Sequence, residues 1–130
     1  MVNVYVDGSF MPGSKQGAYG IVIKKYGEIV QIGGKLGEIK DNNIAEYGAI
    51  IRALEELKRM GLRNEMIKVH TDSQVIARQL LKHIPPPVQK IHCEWYREAA
   101  RLFKEFSKCA IQFIYSSTNP AHEIAREALD

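Results

Sequence analysis

Residues 42–57 read NNIAEYGAIIRALEEL. Ile44, Tyr47, Ile50, Ile51, Leu54 and Leu57 recur at three- and four-residue steps, and Met60 continues the stripe. That spacing predicts a helix with one buried face. Asp41–Asn43 starts it and Gly61 stops it. Upstream lie three strand-like runs, at residues 2–7, 18–25 and 28–33. A Pro/Gly loop from Met11 to Gln16 separates the first two, and a Tyr26-Gly27 turn separates the second from the third, so an antiparallel meander is expected. Downstream, the patterns predict a strand over 66–71, a short helix over 73–82, an extended break at Ile84-Pro85-Pro86-Pro87, a long amphipathic helix over 88–107, a strand over 110–115 and a terminal helix over 121–129. The order β-β-β-α-β-α-α-β-α implies an α/β fold: a five-stranded mixed sheet flanked by helices, with three antiparallel strands followed by two reached through helical crossovers.

Length and composition set limits on this reading. A chain of 130 residues with 45% apolar and 25% charged content suits a single globular domain over 1–130. No apolar run is long enough to span a bilayer, and MVNVYVDGSF does not read as a signal peptide. Cys93 and Cys109 lack metal-ligand spacing and read as free thiols, so a cytoplasmic protein is expected. The net charge of +3 implies little, but its distribution says more. Between Arg78 and Lys108 seven Lys/Arg face three Glu, with His83, His92, Trp95 and Tyr96 among them. Such a stretch suits a phosphate-backbone surface or, equally, a solvated helix face laced with ion pairs.

Three carboxylates stand at element boundaries, and each has an ordinary structural explanation. Asp7 closes the first strand in this reading, as part of an Asp-Gly turn. Glu46 follows Asn43 at the spacing of a capping box, with Asn43 as N-cap. Asp72 stands where a cap of the helix opening at Ser73 would be. The alternative reading takes them together. If the first and fourth strands are neighbours, Asp7 and Asp72 lie side by side, and a helix crossing the sheet can bring Glu46 to them. Such crowded carboxylates call for a cation. All-oxygen ligands suit Mg²⁺, and two such ions about 4 Å apart serve in-line phosphodiester displacement.

The stretches VYVDGSF (4–10), GAYGIVI (17–23), NNIAEYGAIIRALEEL (42–57) and VHTDSQVIARQL (69–80) resemble, in order and spacing, the ribonuclease H type 1 family. The likeness runs over nearly the whole chain. It implies an RNase H-like fold and an endonuclease that hydrolyses the RNA strand of RNA–DNA hybrids with two Mg²⁺ or Mn²⁺ ions, leaving 5′-phosphate and 3′-hydroxyl ends. It further implies that Asp7, Glu46 and Asp72 are the catalytic metal ligands. Asn42, Asn43 and Gln74 would meet the hybrid's minor groove, and Gly8 and Ser9 the RNA 2′-hydroxyls, the groups that distinguish RNA from DNA. A monomer is expected.

The chain departs from the family pattern in three places. A fourth carboxylate is expected on the last helix within A-D-x-L-A-x-x-A-L. Here the stretch is A-H-E-I-A-R-E-A-L, which puts His122 in register and Glu123 one residue beyond. His122 is the preferred fourth catalytic and metal-binding residue, because using Glu123 breaks the match at Ile124, Ala125, Ala128 and Leu129. The loop FMPGSKQG is only partly similar, and no basic insertion follows the third helix. Two rivals remain at this point: a nuclease of the same fold with another substrate preference, and a catalytically silent nucleic-acid-binding domain.

Overall fold

In a computed structural model that describes all 130 residues, the centre of the molecule is strand β1 (Val2–Met11). It pairs antiparallel with β2 (Gln16–Lys25), which pairs antiparallel with β3 (Glu28–Glu38). On its other side β1 runs parallel to β4 (Met66–Thr71), and β4 runs parallel to β5 (Lys108–Phe113). The sheet order is β3-β2-β1-β4-β5, the mixed arrangement expected from the sequence.

Strand alternation assigns the two faces. Val2, Val4 and Val6 point to one side and are buried against α1 (Asn42–Arg59). Ile21, Ile23, Ile67, Val69 and Ile111 join them, as do residues of α2 (Gln74–Leu80) and α3 (Lys90–Phe103). This cluster is the main core, and Tyr47 lies within it, with Trp95 and Tyr96 packed at its edge as the amphipathic pattern indicated. The opposite face carries α4 (Ala121–Ala128) over β1, β2 and β3. His70 stacks on Tyr5 with ring centroids 4.4 Å apart and meets the Asn3 and Gln112 side chains.

Several boundaries differ from the sequence reading. β1 does not end at Asp7. It continues to Met11, with Gly8 paired to Tyr19, so Asp7-Gly8 is not a turn. The reversal comes four residues later, where Lys15 adopts φ 60°. Local Asp-Gly preference yields there to continued pairing with β2. β3 runs on to Glu38 past a bulge at Gly17/Ala18, because β2 offers it a full-length partner. Asn43 is not the N-cap of α1. Asp41 is, and its Oδ1 accepts from Ile44 N at 3.0 Å. Likewise Ser73, not Asp72, caps α2. α3 is shorter than the amphipathic pattern, because Ser107 N donates instead to Arg63 O and draws the chain into β5.

Candidate active site

β1 and β4 stay paired only as far as Tyr5 and His70. Beyond that point the strands part, and Asp7 and Asp72 stand on either side of the opening. Asp7 pairs with Gly20 of β2 and therefore faces α4, while the next residue, Gly8, lies under the first turn of α1. This strand end is thus reached by one helix from each face of the sheet.

Gly8 makes the approach of α1 possible. A Cβ on Gly8 would sit 2.3 Å from Ala45 C and 2.6 Å from Glu46 N, so only glycine lets the helix start this close. Its amide donates to Asp7 Oδ1 at 3.0 Å and to Glu46 Oε1 at 2.7 Å, tying both carboxylates to one backbone group. Gly20 serves α4 in the same way, since a Cβ there would lie 2.5 Å from Ala121 O. With α4 seated so low, His122 Nδ1 meets Asp7 Oδ2 at 2.8 Å. Asp7, Asp72 and His122 each offer a ligand atom, and these atoms lie within 4.8 Å of one another.

The electrostatics of the cluster are those of crowded acids. Asp7 is 4% exposed and Glu46 6%. Burial pushes the Asp7 carboxyl above its ordinary value, and the nearby Asp72 charge adds to the effect. Burial pushes Glu46 well above its ordinary value, with further contributions from Asp72 and Asp7. Glu46 Oε2 is buried without any hydrogen-bond partner, and a buried polar atom left so calls for an explanation. A divalent cation would supply one, since it would neutralise the carboxylates and give the orphaned oxygen a partner. The donor set of three carboxylates and an imidazole suits a hard or borderline ion.

The other residues singled out in the sequence lie at the same end. Gly8 and Ser9 follow Asp7 directly. Asn42 and Asn43 are exposed at the start of α1, and Gln74 is exposed at the start of α2, two residues after Asp72. Glu123 points elsewhere: it is exposed and paired with Arg126 at 3.3 Å. Of the seven basic residues between Arg78 and Lys108, Arg101 is paired with Glu98 and Glu105. The other six are exposed and form no ion pair.

Sequence reasoning missed two supports of this site. His92 Nε2 meets Asp41 Oδ2 at 2.6 Å, joining the start of α3 to the cap of α1. Asn119 is 5% exposed; its Nδ2 donates to Val6 O at 2.9 Å and its Oδ1 accepts from Ala121 N at 3.0 Å. An Asn-Pro pair before a helix signals a turn, which was the available hint for Asn119, but nothing local pointed to β1.

A family model described as reverse transcriptase-like matches residues 5–128. The chain belongs to this family, within the RNase H-like superfamily. Among solved structures similar to this family member is RNase H1 from the halophilic archaeon Halobacterium salinarum NRC-1. It is 31% identical, with 99% of this chain and 97% of that one covered and a TM-score of 0.88. LC11-RNase H1, isolated from compost and solved in complex with an RNA/DNA hybrid, is 28% identical over all of this chain and 97% of its own, with a TM-score of 0.87. In sequence, the family member is also similar to the uncharacterized protein YpeP of Bacillus subtilis (strain 168). They are 34% identical over 87 residues, which is 61% of this chain and 36% of YpeP. No helix is long and apolar enough to cross a membrane.

Proposed function

We propose that this protein is a metal-dependent ribonuclease H that hydrolyses the RNA strand of RNA–DNA hybrids, leaving 5′-phosphate and 3′-hydroxyl ends. The observation that carries the reading is the convergence of Asp7 of β1, Glu46 of α1, Asp72 of the β4–α2 connection and His122 of α4 on the parted ends of β1 and β4. The likeness to type 1 ribonucleases H over the whole chain supports it, as does the hybrid bound by LC11-RNase H1.

In this reading Asp7, Glu46, Asp72 and His122 hold two Mg²⁺ or Mn²⁺ ions, with Asp7 central because it alone touches partners from both helices. When bound, such ions supply Lewis acidity to the attacking and leaving oxygens of an in-line displacement. The chain's own residues orient the substrate. Asn42, Asn43 and Gln74 present amides that donate and accept in the shallow minor groove without reading sequence. Gly8 and Ser9 line the approach to the scissile strand, and the unpaired Lys and Arg of α2, α3 and their connection meet phosphates. His122, with 45% of its side chain exposed, stands at the lip of the site, where it can hold a proton or assist product departure. The free thiols Cys93 and Cys109 fit a reducing cytoplasm.

Purified protein should cut the RNA strand of a hybrid in Mg²⁺ or Mn²⁺, leave single- and double-stranded RNA largely intact, and lose activity in EDTA and on Asp7→Asn. Equal cutting of all three substrates would transfer the reading to another nuclease of this fold. No cutting in any metal would leave a nucleic-acid-binding domain.

A further inference from the structure

We propose that Asn119 is a positioning residue for the metal-binding cluster, pinning the first turn of α4 to β1 so that His122 meets Asp7. The proposal rests on the ribonuclease reading above and adds a residue that it does not use.

The geometry is specific. Asn119 lies 113 positions from Val6 in sequence, yet its side-chain amide donates to the Val6 carbonyl, the residue immediately before Asp7. Val6 is also one residue past the last β1–β4 pair, so this bond lies where the two strands part to admit the cluster. The other end of the same amide accepts from Ala121 N, immediately before His122. The main-chain oxygen of Asn119 accepts from His122 N at 3.1 Å. One buried residue thus touches the chain next to Asp7 and the chain at His122.

Apart from the His122–Asp7 contact itself, the Asn119–Val6 bond is the one side-chain hydrogen bond between β1 and the start of α4. The N-cap position of α4 is Pro120, whose side chain makes no cap bond, so the first amide of the helix relies on Asn119. It rests on Gly20 and Gly33 through Ala121, Ile124 and Ala125, contacts that fix its height above the sheet. Packing of small apolar residues is less directional than a hydrogen bond, so it fixes the helix's place along β1 less sharply. The Asn119 bonds are directional and set the position of the helix along β1. The His122 side chain is partly exposed and its one hydrogen bond is to Asp7, so its place follows from the seating of the helix.

Asn119→Asp keeps the shape and the acceptor for Ala121 N but removes the donor to Val6 O, and Asn119→Ala removes both. Partners that orient metal ligands typically govern affinity by about 10- to 100-fold. On the full chain, Mn²⁺ affinity measured by calorimetry without substrate should fall by about tenfold or more in either variant. Hybrid cleavage should lose kcat with KM within about twofold of wild type, since no substrate contact is removed. In a His122→Ala background, Asn119→Asp should weaken Mn²⁺ no further, because the two residues act as one unit. In the unaltered protein, the Asn119 side-chain amide signals in a nitrogen-15 NMR titration with Mg²⁺ should shift along the same saturation curve as those of His122. This last measurement holds even if a variant fails to fold.

Folded variants with wild-type Mn²⁺ affinity, additive losses in the double variant, a change confined to KM, or an Asn119 amide indifferent to Mg²⁺ would each overturn the proposal. A wild-type protein that binds Mn²⁺ and cuts hybrid while the variants match it sinks only the role of Asn119. If it binds Mn²⁺ but cuts nothing, only the ribonuclease reading fails. If it binds no Mn²⁺, both fail.

Discussion

Gly8→Ala tests the packing on which the site depends. The new methyl carbon would lie 2.3 Å from Ala45 C and 2.4 Å from Ala45 O, where ordinary contact begins at 3.4 Å. These are backbone atoms of a helix start, so no rotamer change relieves them. The first turn of α1 has to retreat by about 1 Å, or β1 has to bend away by as much. Overpacking of this kind costs about 1–3 kcal/mol, which for a chain of this size lowers Tm by roughly 4–11 °C. The same retreat takes the Gly8–Glu46 bond from 2.7 Å to beyond ordinary hydrogen-bond length and carries Glu46 off the cluster. A misplacement of about 1 Å at reacting groups costs on the order of a hundredfold in rate. Thermal melts and steady-state hybrid cleavage in Mg²⁺ read both effects on one sample. A variant that melts with the wild type and differs only in KM would refute the argument, because Gly8 would then serve the RNA backbone alone, as the family resemblance implies.

Glu46→Gln should abolish cleavage yet raise the Tm of the metal-free protein at neutral pH. Because the folded protein holds the Glu46 proton above the ordinary value of 4.5, wild-type stability from this group is complete below that pH and is lost as pH rises toward the folded value. The gain should therefore be near zero at pH 4 and grow toward pH 7 in EDTA melts, and a Gln variant that melts below wild type at pH 7 would contradict it. Asp41→Ala should cost about 1 kcal/mol in urea unfolding through loss of the α1 cap, while Asn43→Ala should leave stability unchanged and raise KM for hybrid; the reverse order would restore Asn43 as the cap. His122→Asp should raise the ratio of Mg²⁺- to Mn²⁺-supported rates, since a carboxylate suits Mg²⁺ better than imidazole does. Identical ratios in the two proteins would show that His122 does not touch the ion.

The sequence by itself determined the elements and their order, because helix and strand periodicities of apolar residues are local signals. The α1 stripe from Ile44 to Leu57 and the Val2-Val4-Val6 alternation are readable within a dozen residues. Resemblance to the ribonuclease H type 1 motifs then pointed to Asp7, Glu46 and Asp72, and register against the family's last-helix pattern favoured His122 over Glu123. Tertiary structure alone decided how the boundaries fall. Asp7-Gly8 looks like a turn until β2 is present to pair with Gly8, and Asn43 looks like a cap until Asp41 is held by both Ile44 N and His92. The supports of the site were hidden for the same reason. Gly8 under α1, Gly20 under α4 and Asn119 on Val6 act on chain segments up to 113 residues away. Close approach and buried hydrogen bonds between distant segments leave no periodic trace in a sequence; they exist only once the chain has brought the two surfaces together.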